Sequence, residues 1–122
     1  MNIEELMKQL KLEYVETLPT KKAKILELFR QNQLVELETE FHKMKGSGKT
    51  YGLGEVSQFG EIFETICMEL PSALATVMPL AIELIDETYR LQNLNQSFDI
   101  AHSKQYIYVQ SLLDQKALVE KK

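Results

Sequence analysis

The sequence predicts an all-α fold, an antiparallel four-helix bundle with an additional terminal helix, and three observations carry that expectation. Apolar residues recur at spacings of three and four along most of the chain, the period of a helix with one buried face, and no stretch alternates as a half-buried strand would. The turns between these stripes are short, which favours antiparallel neighbours. At 122 residues, with 44% hydrophobic and 26% charged residues, the chain suits one soluble domain with a single core.

Residues 2–17 carry Ile3, Leu6, Met7, Leu10, Tyr14 and Leu18 as the stripe of a first helix. Pro19 disfavours helical geometry at Leu18 and suits the first turn of a second helix, capped at Thr17 or Leu18, with Ala23, Leu26 and Phe29 or Arg30 facing inward. Asn32 and Gln33 mark a turn. A third helix spans Leu34 to Leu53 with Leu34, Leu37, Phe41, Met44, Gly48 and Tyr51 as its inward stripe. After Gly54 comes a fourth, with Val56, Phe59, Ile62, Phe63, Ile66 and Leu70, ending at Pro71. From Ser72 to about Asn95 an apolar segment contains Pro79, which either kinks a helix or marks its start. A polar loop at Asn93–Ser97 leads to a last helix over about 103–121 with Tyr106, Val109, Leu113 and Ala117 inward.

The third helix departs from a generic bundle. Four of the five glycines and one of the two histidines fall between residues 41 and 54. At about 100° per residue, His42 points roughly 130° from the centre of the inward stripe, with Gly46 one turn on beside it. Glycine inside a helix costs about 1 kcal/mol relative to alanine, so both glycines there need a reason. Gly48 falls on the stripe, where it lets a neighbouring helix approach; Gly46 leaves the imidazole open to something bulky. With Lys43, Lys45 and Lys49 around it, the spot suits a negatively charged group delivered by another macromolecule.

His42-Lys43-Met44-Lys45-Gly46-Ser47-Gly48, followed by Tyr51-Gly52-Leu53, resembles the phosphoacceptor motif of histidine-containing phosphotransfer (HPt) domains, over roughly residues 10–92. Phe41 departs from the smaller residue usual before that histidine and bears on packing. The resemblance implies a phosphoprotein of two-component signal transduction, an intermediate in a phosphorelay. His42 would accept a phosphoryl group from a receiver-domain aspartate and pass it to a response-regulator receiver. It implies a carrier and not an enzyme, with no cofactor of its own and Mg2+ supplied by the receiver. Its partners would be receiver domains and, where one exists, a hybrid histidine kinase. Lys45 matches the family's lysine and would neutralise the phosphoryl group; Glu64, 22 positions after His42, matches a Glu or Gln that holds the ring at Nδ1. Glu38, one turn before His42, competes for that contact. Lys43, Gly46 and Lys49 are expected to meet the partner.

Other chemistries fit poorly. A net charge of −4 argues against a nucleic-acid binder, and three nearby lysines are no broad basic face. The first residues lack a secretion signal's layout and the most apolar run, 73–82, is short and broken by Thr76 and Pro79, so a cytoplasmic, membrane-free monomer is expected. Cys67, the one cysteine, reads as a buried small hydrophobe in a reducing compartment, His102 as a surface residue, and no metal site is expected. Gly46-Ser47-Gly48-Lys49-Thr50 mimics the tail of a phosphate-binding loop, but Lys43 stands at its required first glycine and a helix precedes it in place of a strand. A nucleotide binder at 46–50 and a helical scaffold without transfer activity are the alternatives.

Overall fold

The computed structural model describes residues 2–121. Six α-helices follow in order: α1 (Ile3–Glu16), α2 (Leu18–Arg30), α3 (Leu34–Thr50), α4 (Gly54–Glu69), α5 (Leu74–Asn93) and α6 (Lys104–Glu120), with single 3-10 turns before α5 and α6. Helices α2 to α5 form the four-helix bundle, each packed on the next and α5 returning to α2. Helices flank the bundle at both ends of the sequence, α1 against α2 and α5 and α6 against α4 and α5.

Local chemistry sets most boundaries. The Asn2 Oδ1 accepts the Glu5 backbone N–H at 2.8 Å and starts α1, and the Ser103 Oγ does the same for Tyr106 N–H at 3.2 Å in α6. Pro19 sits in the first turn of α2, where a missing N–H leaves no bond unmade. Helix α3 stops at Thr50 and not at Leu53, because Gly52 turns left-handed at φ 70° and Leu53 N–H reaches back to the Gly48 carbonyl at 2.7 Å. Pro79 does not start α5; it lies within the helix on its exposed side, and the preceding turn is the separate one at Pro71–Ala73.

The core holds Leu37, Phe41 and Met44 from α3 against Val56, Phe59, Ile62, Phe63 and Ile66 from α4, closed by Val77, Ala81, Leu84 and Ile85 from α5. Each fully buried Leu, Ile or Phe contributes about 1.5–3 kcal/mol. Phe41, Phe59 and Phe63 pack ring to ring at centroid distances of 4.8–5.7 Å, so the large residue before His42 anchors the α3–α4 contact.

Several stripe positions come out differently from the sequence expectation. Leu34, the first residue of α3, is exposed, and Tyr51, just past its end, is half-buried against Tyr14. In α2 the buried residues are Leu18 and Ile25, with Ala23 exposed and Leu26 half-buried, a shift of phase that Leu28 and Phe29 share as partly buried flanks. Only Tyr14 and Val15 of α1 are buried; Ile3, Leu6 and Met7 are exposed. In α6 Val109 alone is buried and Ala117 is exposed.

Candidate functional site

Two glycines bring α3 and α4 together. A Cβ on Gly48 would stand 2.4 Å from the Ser57 backbone nitrogen, and one on Gly60 2.4 Å from the Lys45 nitrogen and 2.5 Å from the Phe41 carbonyl oxygen. Neither position can hold a side chain. The pairs Gly48 with Ser57, Lys45 with Gly60, and His42 with Glu64 run in opposite directions along the two helices, which makes them antiparallel and fixes their register.

That register carries Glu64 to His42. The Glu64 carboxylate is only 14% exposed, while the imidazole is 69% exposed. A carboxylate can only accept, so the Nδ1–H of His42 donates to Glu64 Oε2, at 2.5 Å. Nε2 is thereby left as the unprotonated nitrogen of the neutral ring. Lys45 Nζ lies 3.9 Å from the other carboxylate oxygen, so Glu64 sits between imidazole and ammonium. Glu38 makes no bond to His42.

Gly46, one turn on, has nothing within 4 Å of where its Cβ would stand. The outer face of α3 is therefore bare beside the imidazole. Lys49 is exposed and, among the described residues, has no carboxylate within salt-bridge distance; Lys43 is exposed too, but its Nζ lies 3.5 Å from Glu40 Oε1. Glu40 is buried and takes its main ion pair from Lys24 of α2 at 2.8 Å. Burial pushes the Glu40 carboxyl up, but the hydrogen bond and charge of Lys24, helped by Lys43, more than offset this and hold it below its ordinary value.

On the flank away from α4, the Tyr14 hydroxyl donates to Ser47 Oγ at 2.7 Å, and Ser47 donates in turn to the Lys43 carbonyl at 2.8 Å. The Tyr14 ring stacks on Tyr51 with centroids 5.1 Å apart. This ties α1 to the turn that follows His42. Gly60 and the Tyr14–Ser47 link escape a reading of the sequence. The signal for Gly60 was its place as a lone glycine in the middle of an apolar helix, which asks for a close approach just as Gly48 does.

His102 makes a comparable bond, with Nδ1–H donating to Asp99 Oδ2 at 2.8 Å, but that carboxylate is 74% exposed and three residues away on its own chain segment. A local, solvated pair holds a ring loosely. Cys67 is buried in the α3–α4 interface, its thiol pushed up to about 12 by burial first and then by the Glu38 and Glu64 carboxylates, which makes it inert. Residues 46–50 lie within α3, so their N–H groups are spent on the helix and form no phosphate-cradling loop. Among the described residues no single helix is long and apolar enough to cross a membrane.

The molecule is thus a four-helix bundle that offers an imidazole on an open helix face, held in orientation from a neighbouring helix. A model of the Hpt domain matches residues 9–96, more than half the chain, and the chain belongs to that family. Hpt domains are phosphocarrier modules of two-component signalling that interact with receiver domains in phosphorelays. No curated protein and no solved structure matches the chain.

Proposed function

We propose that His42 is the phosphoacceptor of a phosphorelay intermediate, taking the phosphoryl group from a receiver-domain aspartate and passing it to another receiver. The observation that carries this reading is the clamp of His42 Nδ1 by a largely buried Glu64, with Nε2 directed outward beside the open Gly46. In the forward step Nε2 attacks the phosphorus of the aspartyl phosphate in line. The N–P bond forms, the P–O bond to the aspartate breaks, and the carboxylate leaves with its electron pair. No proton need move, because Nε2 carries none. The ring becomes cationic, and Glu64 balances that charge through Nδ1–H. Return transfer reverses the step.

Lys45 serves the phosphoryl oxygens once they arrive, Lys43 and Lys49 guide the acidic receiver, and Gly46 leaves it room to dock. Mg2+ enters with the receiver, and the chain itself is a carrier of the cytoplasm. Offering the protein to a panel of phosphorylated receivers tests the reading. Label should move to His42, with the acid lability and base stability of a phosphoramidate, and His42→Gln should remove it with helical content unchanged. Label that persists in His42→Gln, or appears on His102, contradicts the assignment; no transfer from any receiver favours the scaffold.

A further inference from the structure

The apolar stripe of α1 begins in the core and runs out of it. Tyr14 is 7% exposed and Leu10 half-buried, but Met7, Leu6 and Ile3 are 43%, 46% and 79% exposed. The helix is firmly started by its Asn2 cap, so this is a formed amphipathic face that no described residue of the chain covers. Glu4 and Lys11 lie on one flank of the stripe, seven residues apart and so within about 20° of each other around the helix. Neither takes part in a salt bridge among the described residues, whereas Lys22, Lys24, Lys43, Lys45 and Lys116 all do. Met7, Lys11 and Leu12 also form one wall of an open groove whose other wall is Tyr51 and Gly52.

We propose that this face of α1 is an interface for a second copy of the chain, paired antiparallel about a two-fold axis. Antiparallel pairing lays Ile3, Leu6, Met7 and Leu10 of one protomer on the same residues of its partner. It also sets Glu4 of each against Lys11 of the other, twice over, because a flank meets the same flank of a reversed copy. In a parallel two-fold pair each flank would face the opposite flank of its partner, so Glu4 and Lys11 would not meet. The stripe is therefore complementary to itself in one orientation only. With about four apolar side chains from each copy the patch is smaller than a permanent interface, so the dimer forms at micromolar to millimolar concentration. This inference does not depend on phosphotransfer.

Sedimentation velocity of the full chain from about 10 µM to about 1 mM should show mass rising from one chain toward two. Leu6→Asp with Met7→Asp should hold it at one chain, with far-ultraviolet circular dichroism unchanged because both positions are exposed. Glu4→Lys alone and Lys11→Glu alone should each weaken association several-fold. The double reversal Glu4→Lys/Lys11→Glu should restore it, which a merely sticky apolar patch would not do. A single-chain mass throughout overturns the proposal, as does association indifferent to Leu6→Asp/Met7→Asp or a double reversal no better than the singles. If the wild type stays a single chain while Leu6→Asp/Met7→Asp weakens binding of a receiver, the face belongs to the receiver and the self-pairing is wrong.

Discussion

Gly46 and Gly48 stand two residues apart in one helix and could hardly be in more different places. At Gly48 the backbones of α3 and α4 touch, and a Cβ would lie 2.4 Å from Ser57 N; at Gly46 a Cβ would meet nothing within 4 Å. The inner face is thus committed to holding α4 in one register, and the outer face is kept empty. The two are linked, since the register fixed at Gly48 and Gly60 is what delivers Glu64 to His42. Glycine here serves contact on one side and clearance on the other.

The comparison breaks hardest on its inner side. Gly48→Ala and Gly60→Ala must push backbone against backbone, and each should cost at least the upper end of the about 1–3 kcal/mol typical of overpacking. Thermal or urea unfolding would show it. Stability close to wild type in either variant would mean that α3 and α4 are less tightly apposed than described.

A smaller effect is expected at Glu40, which joins α2 to the inner flank of α3 through Lys24. Its folded carboxyl lies below its ordinary value of 4.5, so the stability it contributes is full above that value and is lost as pH falls through the depressed folded one. Glu40→Gln should cost about 1 kcal/mol at neutral pH, Lys24 being half exposed, and the gap from wild type should close in acid. Urea titrations of both proteins across that range check it; a gap that widens in acid reverses the sign.

On the outer side the expected change in stability is near zero. Gly46→Gln has open space and relieves helical glycine by up to about 1 kcal/mol, yet it should cut transfer severely by standing beside the imidazole. A variant that unfolds would put Gly46 inside; one that transfers normally would move the partner off this face. Cys67 offers the mildest test, since a thiol pushed up to about 12 at a closed interface should resist alkylation at about pH 8 in the native protein and react only in urea.

The helices were legible in the sequence because burial on one face writes a 3.6-residue period, and the stripe of α4 and the middle of α3 follow it closely. The period says which face is apolar but not whether anything covers it. Hence Ile3, Leu6 and Met7 were expected to be buried in α1, and the same blindness shifted the phase of α2 away from Ile25. The end of α3 was overrun because Gly52 closes it through a backbone conformation that leaves no mark in hydropathy. At the site, the outward facing of His42 and Gly46 followed from angles within one helix. Glu64 required the register between two helices, which periodicity does not contain; only the resemblance supplied it. Gly60, which sets that register with Gly48, carries no mark in the hydropathy period.

The central claim is that Glu64 across the α3–α4 contact leaves His42 Nε2 as the reacting nitrogen. Nitrogen–proton correlation spectra of the labelled protein, before and after phosphorylation, test it most directly. The account predicts a neutral ring protonated at Nδ1, a phosphoryl group on Nε2, and loss of the tautomer preference in Glu64→Ala but not in Glu38→Ala. Phosphate on Nδ1, or a ring protonated at Nε2 in the wild type, would contradict it.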